Sequence, residues 1–372
     1  MIYNKVCVEG FGYSFPPEIV STSDIEVRLS SLYERLKLPY GRLELMTGIR
    51  ERRLFPADML PGDESVRTAE RLIDAVGIRR EKIGTLIHAS VCSDYAEPAT
   101  ACSVHHRLKL PTNCEVYDVS NACLGILNGM IQIANRIELG QIDAGIVVGT
   151  EVSRSLMETT IASLNSDMQL DRRSVKPAFA SLTIGSGSAA VLLVNERLSK
   201  TGNRLLGGAV SANTEHCELC MSATDPLGRG GGTLMQTDSE ELMLRGVEAA
   251  AVTFERFLNE VNWQRESINR FFSHQVGKKH RQLLCEALQL NEKHNFTTLE
   301  YLGNTGSCAL PTAAAVGFET GFVADKSNVA LLGIGSGINV LMLALDWQRT
   351  LPITTLPQDA DTIRKIIEVN GM

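Results

Sequence analysis

In the stretch VSNACLGILNG, residues 119–129, a single cysteine, Cys123, stands between a short polar turn and an apolar run that reads as the start of a helix. A thiol there is a candidate nucleophile. The first turn of a helix carries the positive end of its dipole, which favours thiolate and can lower a cysteine pKa from about 8.5. Free backbone N–H groups at the same place can receive a developing oxyanion. The bland alternative is a packed core residue, since unpaired cysteine is among the most buried residue types and this is one of nine. Two distant stretches bear on the choice. FFSHQVGKKH puts His274 at the end of a buried strand, and YLGNTGSCALPTAAA puts Asn304 in a turn flanked by Gly303 and Gly306, ahead of a helix with Pro311 near its first turn. Alone, such a histidine is more often structural, and an asparagine in a turn usually serves backbone geometry. Three such residues meeting at one joint would make a reactive site.

The elements that must bring them together alternate along the chain. The patterns predict a helix near 65–77, strands at 84–91 and 115–120, a helix over 123–139 capped near Gly140, and a strand at 144–151, which is an α/β order with helices covering a sheet. The helix after Cys123 is apolar on most faces and so is expected to be buried. A repeat supports the joint. AERLIDAVGIRREKIGTLIHASV (69–91) and FERFLNEVNWQRESINRFFSHQV (254–276) align without a gap at an offset of 185, with Glu70/Glu255, Arg80/Arg265 and Ile83/Ile268 among the identities. GIVVGTE and LLGIGSG form a second echo. Two similar halves, 1–195 and 205–347, with an extension at 348–372, are expected to pack so that equivalent loops meet, where pockets tend to form.

Composition narrows the function. With 372 residues, 44% of them apolar and 21% charged, and a net charge of −7, the chain suits a large folded core and no nucleic-acid surface. Scattered cysteines behind a start without a signal-like segment point to the cytoplasm, with no disulfides expected. VALLGIGSGINVLMLALDW, interrupted by Gly-Ser-Gly, reads as two strands around a tight turn rather than a membrane span. His216, Cys217 and Cys220 in EHCELC offer half of a metal spacing with no matching pair, so no metal is expected. Lys278, Lys279, His280 and Arg281 form a basic run, either a solvated helix start or a dock for an acidic carrier protein or coenzyme phosphate. Residues 155–180 form a long mixed segment that could cover an entrance.

Ordered blocks then resemble a family: TGIRERR (47–53), EPATA (97–101), DVSNACLGILNG (118–129), HQV (274–276), GNTGS (303–307) and GIGSG (333–337). Together they resemble the β-ketoacyl synthase III branch of the thiolase superfamily, from about residue 6 to 347. The resemblance implies a five-layered αβαβα fold of two duplicated halves and, usually, a homodimer. It implies that Cys123 accepts the acyl group, that His274 and Asn304 hold the thioester carbonyl of the second substrate, and that the N–H groups of Cys123 and Ser336 form the oxyanion hole. Gly335 and Gly337 then belong to a backbone turn beside the thioester, since GIGSG lacks the context of a dinucleotide site. SVCSDYAEP, Cys-Leu-Gly at 123–125 and QTDSEELMLRGVEAA resemble more closely the synthases that join two acyl chains head to head in bacterial olefin biosynthesis. Glu97 there matches a glutamate that reaches the partner subunit's site. Two departures stand out: Arg42 and Met46 occupy the positions of the family's adenine clamp, and the usual GDGAG reads GSGSA (185–189).

These likenesses imply a condensation in which Cys123 is acylated by a thioester and a second thioester, as its α-carbanion, attacks the acyl group. The substrates would be acyl-CoA or acyl carrier protein, without a further cofactor. The carbanion can arise by decarboxylation of a malonyl group, which needs no base, or by proton abstraction, for which Glu97 would serve. The alternatives are acyl transfer to an alcohol or amine, or a silent partner subunit, which need not keep Cys123, His274 and Asn304.

Overall fold

The computed structural model describes residues 1–224, 233–350 and 357–372. Its strands, in chain order, are β1 (Val6–Ser14), β2 (Glu18–Ser21), β3 (Glu51–Leu54), β4 (Ile83–Ala89), β5 (Glu115–Val119), β6 (Ala144–Glu151), β7 (Gly187–Asn195), β8 (Arg204–Ala212), β9 (Cys220–Thr224), β10 (Thr233–Thr237), β11 (Arg270–Ser273), β12 (Ser327–Gly335) and β13 (Asn339–Trp347). Nine of them form one mixed sheet ordered β11-β12-β13-β8-β1-β7-β6-β4-β5, and β2–β3 and β9–β10 form two small ladders.

The pairing repeats. From β4 the partners run parallel to β6, antiparallel to β7 and antiparallel to β1; from β11 they run parallel to β12, antiparallel to β13 and antiparallel to β8. The two blocks join where Cys7 of β1 bridges Arg204 of β8. The repeated sequence has a physical counterpart as well. Arg80 Nε donates to the Leu108 carbonyl at 3.1 Å, and Arg265 Nε donates to the Leu288 carbonyl at 3.1 Å. Each arginine also pairs with the glutamate ten residues before it, Glu70 or Glu255.

Strand alternation sorts the core into layers, because successive side chains face opposite sides of a sheet. Ile146, Val148, Leu192 and Val194 face an outer layer that includes the helices Pro61–Val76 and Thr100–Arg107. Val147, Val191 and Leu193 face inward and share one cluster with the helices Gly125–Glu138 and Ala309–Glu319 and with Leu331, Leu341 and Leu343. Ala330, Leu332 and Met342 face the second outer layer, which includes the helices Ser239–Val261 and Lys278–Leu288. This is the expected αβαβα order. The last helix, Ala360–Val369, seats Ile363 and Ile366 on the central cluster. Of the expected extension 348–372, residues 351–356 lie outside the described residues.

The expected strands are present within two residues of their predicted ends. Gly-Ser-Gly does form a turn between two strands, with Gly337 at φ 78° and Ile338 at φ 49°. The central helix begins at Gly125, two residues later than its apolar pattern suggests, because the turn that opens with Ala122 at φ 44° continues through Cys123 and Leu124. Gly140, at φ 73°, follows its end as expected.

Candidate active site

Cys123 sits in an elbow between β5 and the central helix. Leu124 N–H donates to the Asn121 carbonyl at 2.9 Å, and Asn121 Nδ2 donates to Asn128 Oδ1 at 2.8 Å, which closes the turn. A non-glycine residue in the left-handed region, here Ala122, costs on the order of 1–2 kcal/mol, and such strain persists where surroundings over-determine it. The backbone N–H groups of Ser336 and of Cys123 itself lie close enough to the thiol to favour its charged form. They are the two amides that the resemblance names for an oxyanion hole. Gly335 permits the approach, since a Cβ there would lie 3.0 Å from Leu124 Cγ. The electrostatic expectation is corrected: the Cys123 pKa is pushed up to about 12, by burial first and then by the nearby Glu151 and Cys220, against the two amides. The helix dipole does not dominate, because the thiol precedes the first turn and burial disfavours the thiolate.

His274 follows the end of β11, with its N–H donated to the Leu332 carbonyl at 3.0 Å. Its side chain is buried and neither ring nitrogen has a partner among the described residues. Burial, with His280 next to it, holds its pKa down to about 3, so the imidazole is neutral. The next residue anchors this position: Gln275 donates to the Phe296 carbonyl at 2.8 Å and accepts from Thr298 N–H at 2.9 Å.

Asn304 is held by its backbone, donating to the Thr183 carbonyl at 3.0 Å and accepting from Gly185 N–H at 2.9 Å. Its Oδ1 accepts from Gly306 N–H at 3.0 Å, which fixes the carboxamide and leaves Nδ2 as the donor. Gly303 at φ 68° and Gly306 at φ 58° make the loop possible; a Cβ at Gly303 would lie 2.7 Å from the Thr183 carbonyl oxygen. Ser307 ties the loop to the first block, with its hydroxyl 2.5 Å from Glu151 Oε1 and 3.2 Å from the Ala89 carbonyl. Ala89 also backs Gly125, two residues after Cys123. The carboxyl ends of β4 and β6 thus meet the Asn304 loop through Ser307, and the end of β12 meets the Cys123 elbow at Gly335.

Two depressed imidazoles give a stability signature. The pKa of His280 is also held down by burial, to about 4. In the unfolded chain both titrate near 6.5, so between about 6.5 and the folded values the unfolded state binds more protons. The stability is therefore full above about pH 6.5 and is lost as pH falls toward 4 and then 3. Urea midpoints measured across that window should fall, and fall less steeply in His280→Gln.

Other expected residues lie apart. Glu97 is exposed on the loop between β4 and the helix Thr100–Arg107, with no hydrogen bond or ion pair among the described residues. Lys278 and Lys279 are exposed at a helix start, and Lys278 lies against the Gly48 turn, where a Cβ would be 3.0 Å from its own Cβ. The short helix Arg42–Thr47, bearing Arg42 and Met46, packs against that same helix. No cluster of three metal-ligating side chains occurs among the described residues, His216, Cys217 and Cys220 included. Residues 155–180 include most of the helix Arg154–Ser166, which packs Met157, Ile161 and Leu164 into a cluster with Ile25, Leu29 and Leu32. Ser186, in the variant GSGSA block, accepts from Ser153 N–H at 2.9 Å and so serves packing. His280, read as part of the basic run 278–281, is instead buried, while Glu151 and Ser307 were not singled out as site residues; the one visible signal for Glu151 was an ionisable residue ending the otherwise uncharged strand AGIVVGTE.

The chain is similar to known proteins along most of its length. Residues 258–347 match the family described as 3-oxoacyl-[acyl-carrier-protein] synthase III C terminal, and residues 57–177 match the thiolase N-terminal domain. The chain is 38% identical to an acyl-CoA:acyl-CoA alkyltransferase of Shewanella oneidensis, over 93% of this chain and 100% of that relative. It is 31% identical to an acyl-CoA:acyl-CoA alkyltransferase of Xanthomonas campestris, over 93% and 100%. Crystal structures of Xanthomonas campestris OleA, one of them bound to cerulenin, superpose with a TM-score of 0.88 at 30% identity, covering 93% of this chain and 98% of theirs.

Proposed function

Because this chain belongs to the synthase III-like condensing enzymes of the thiolase superfamily, which are transferases of the acyltransferase class, we propose that it joins two acyl-CoA thioesters without decarboxylation. The observation that carries the reading is the Cys123 thiol set against the N–H groups of Cys123 and Ser336. The printed activity of the two alkyltransferase relatives supports the choice of acyl-CoA for both substrates.

In the first step Cys123 sulfur bonds to the thioester carbonyl carbon while the two amides take the oxyanion. The bond to the coenzyme sulfur breaks, and the cysteine proton leaves with that sulfur as free thiol. In the second step Glu97 of a second copy takes an α-proton from another acyl-CoA. His274 Nε2–H and Asn304 Nδ2–H stabilise the enolate oxygen, and the α-carbon attacks the acyl-cysteine. The carbon–sulfur bond to Cys123 breaks, the thiolate is reprotonated, and a β-ketoacyl-CoA departs. A neutral His274 suits this role, since it donates without needing to be charged. No resident cofactor takes part in these steps.

A homodimer is supported by β5, the edge of the sheet nearest the Glu97 loop, where Val91 and Tyr95 are 56% and 59% exposed. Division of the chain at 195/205 and 347 is the reading the repeated pairing supports. No helix among the described residues is long and apolar enough to cross a membrane, and a site that depends on a free thiol suits the reducing cytoplasm. Fractionation of the native host, followed by immunoblotting, tests that placement.

The test of the function is product mass after incubation with one acyl-CoA in the absence of malonyl-CoA. A β-keto product with both chains is expected; a product that forms only with malonyl-CoA, or acyl transfer to an added alcohol or amine, overturns the reading. Asn304→Ala should still load an acyl group on Cys123 while condensation falls about 10²–10³-fold, the scale of one lost oxyanion donor. Lys278 and Lys279 are proposed to attract the phosphates of the coenzyme. Exchanging both for Glu should raise KM for acyl-CoA roughly tenfold with kcat little changed.

A further inference from the structure

We infer that Glu151 is a positioning residue that fixes the Asn304 loop beside the Cys123 thiol and anchors the start of the loop that carries Glu97 toward a second copy's site, an inference that rests on the condensing reaction proposed above. Glu151 ends β6 and is 5% exposed. A carboxylate so buried needs strong compensation, and its Oε1 receives three hydrogen bonds. Val91 N–H donates at 3.2 Å, Ser307 N–H at 3.3 Å and Ser307 Oγ–H at 2.5 Å. Val91 is two residues past β4 and starts the segment that leads to Glu97. Ser307 is three residues past Asn304. One oxygen therefore holds a loop from each block. The fit is close: a Cβ at Gly306 would lie 3.2 Å from Glu151 Cγ.

The groups that face this carboxylate are His88 on β4, Cys92 in the following loop, Cys123 in the elbow and Cys308 next to Ser307. Burial lowers the His88 pKa, which favours a neutral imidazole. Among the described residues, no Lys or Arg is among the leading causes acting on Cys92, Cys123 or Cys308. The negative charge thus opposes a second one on Cys123 sulfur, so the resting nucleophile stays a thiol. The same residue orders the loops through hydrogen bonds and restrains the nucleophile through charge, and the two actions are separable by substitution.

Alkylation of Cys123 by iodoacetamide, followed by peptide mass spectrometry from neutral to alkaline pH, reads the charge. Steady-state condensation of acyl-CoA reads the positioning. Glu151→Gln keeps an acceptor oxygen without the charge and should alkylate about tenfold faster at a given pH. Glu151→Asp should return the rate toward that of the wild type. Ser307→Ala should leave the alkylation profile in place while lowering kcat about tenfold with KM little changed. Wild-type alkylation rates in Glu151→Gln, or wild-type kcat in Ser307→Ala, would overturn the inference. Should the wild type load no acyl group, the function proposed above fails instead, and the alkylation arm still judges Glu151.

Discussion

Cys123→Ala should show no covalent acyl adduct by intact-protein mass spectrometry with any acyl-CoA, and condensation should fall on the order of 10⁶-fold, the scale of removing an enzymatic nucleophile. The whole first step depends on that sulfur, because no neighbouring thiol shares its pair of amides. Cys308 is fully enclosed and its sulfur donates to the Gly149 carbonyl at 3.2 Å, while Cys220 accepts from the Thr237 hydroxyl at 3.4 Å. Fold loss is not expected, since the substitution removes one atom at a half-buried position. An acyl adduct on another cysteine in Cys123→Ala would move the reaction centre elsewhere.

Glu97→Gln should load Cys123 normally yet lose about 10²–10⁴ in malonyl-independent condensation, the usual contribution of a positioned general base. The position of Glu97 makes the experiment stronger than a single substitution. It is exposed beside an unpaired sheet edge, so a carboxylate acting on a second copy's site predicts complementation. Neither Glu97→Gln nor Cys123→Ala alone is active, but hybrids made by mixing and refolding the two would contain one site with both groups intact. Recovery of about a quarter of wild-type turnover is expected when random pairing makes half of the dimers hybrid and each hybrid has one working site of two. No recovery in verified hybrids would assign Glu97 to its own chain or to another role.

Much of the site was legible because its residues carry their context with them. Cys123 before an apolar run, Asn304 between glycines and His274 ending an apolar strand each sit where short-range sequence dictates a turn or strand end. The repeat at an offset of 185 gave the two halves, and the family resemblance gave the layer order. Less was legible where tertiary surroundings decide. The helix start was read two residues early, because an alanine rather than a glycine takes the left-handed turn at 122. The direction of the Cys123 shift was misread because enclosure and Glu151 outweigh the helix end, and neither is visible in a local window. Glu151 itself was overlooked as a site residue, since its partners Val91 and Ser307 lie 60 and 156 residues away.

The paired arginine clasps, Arg80 on Leu108 and Arg265 on Leu288, close each copy's outer helix onto its own strands. The inner faces are largely apolar and share one cluster. A solitary ancestral copy, sliced along that plane, would offer water the flank of a long greasy helix and a bare sheet face, and could stay dissolved only by clinging to a twin.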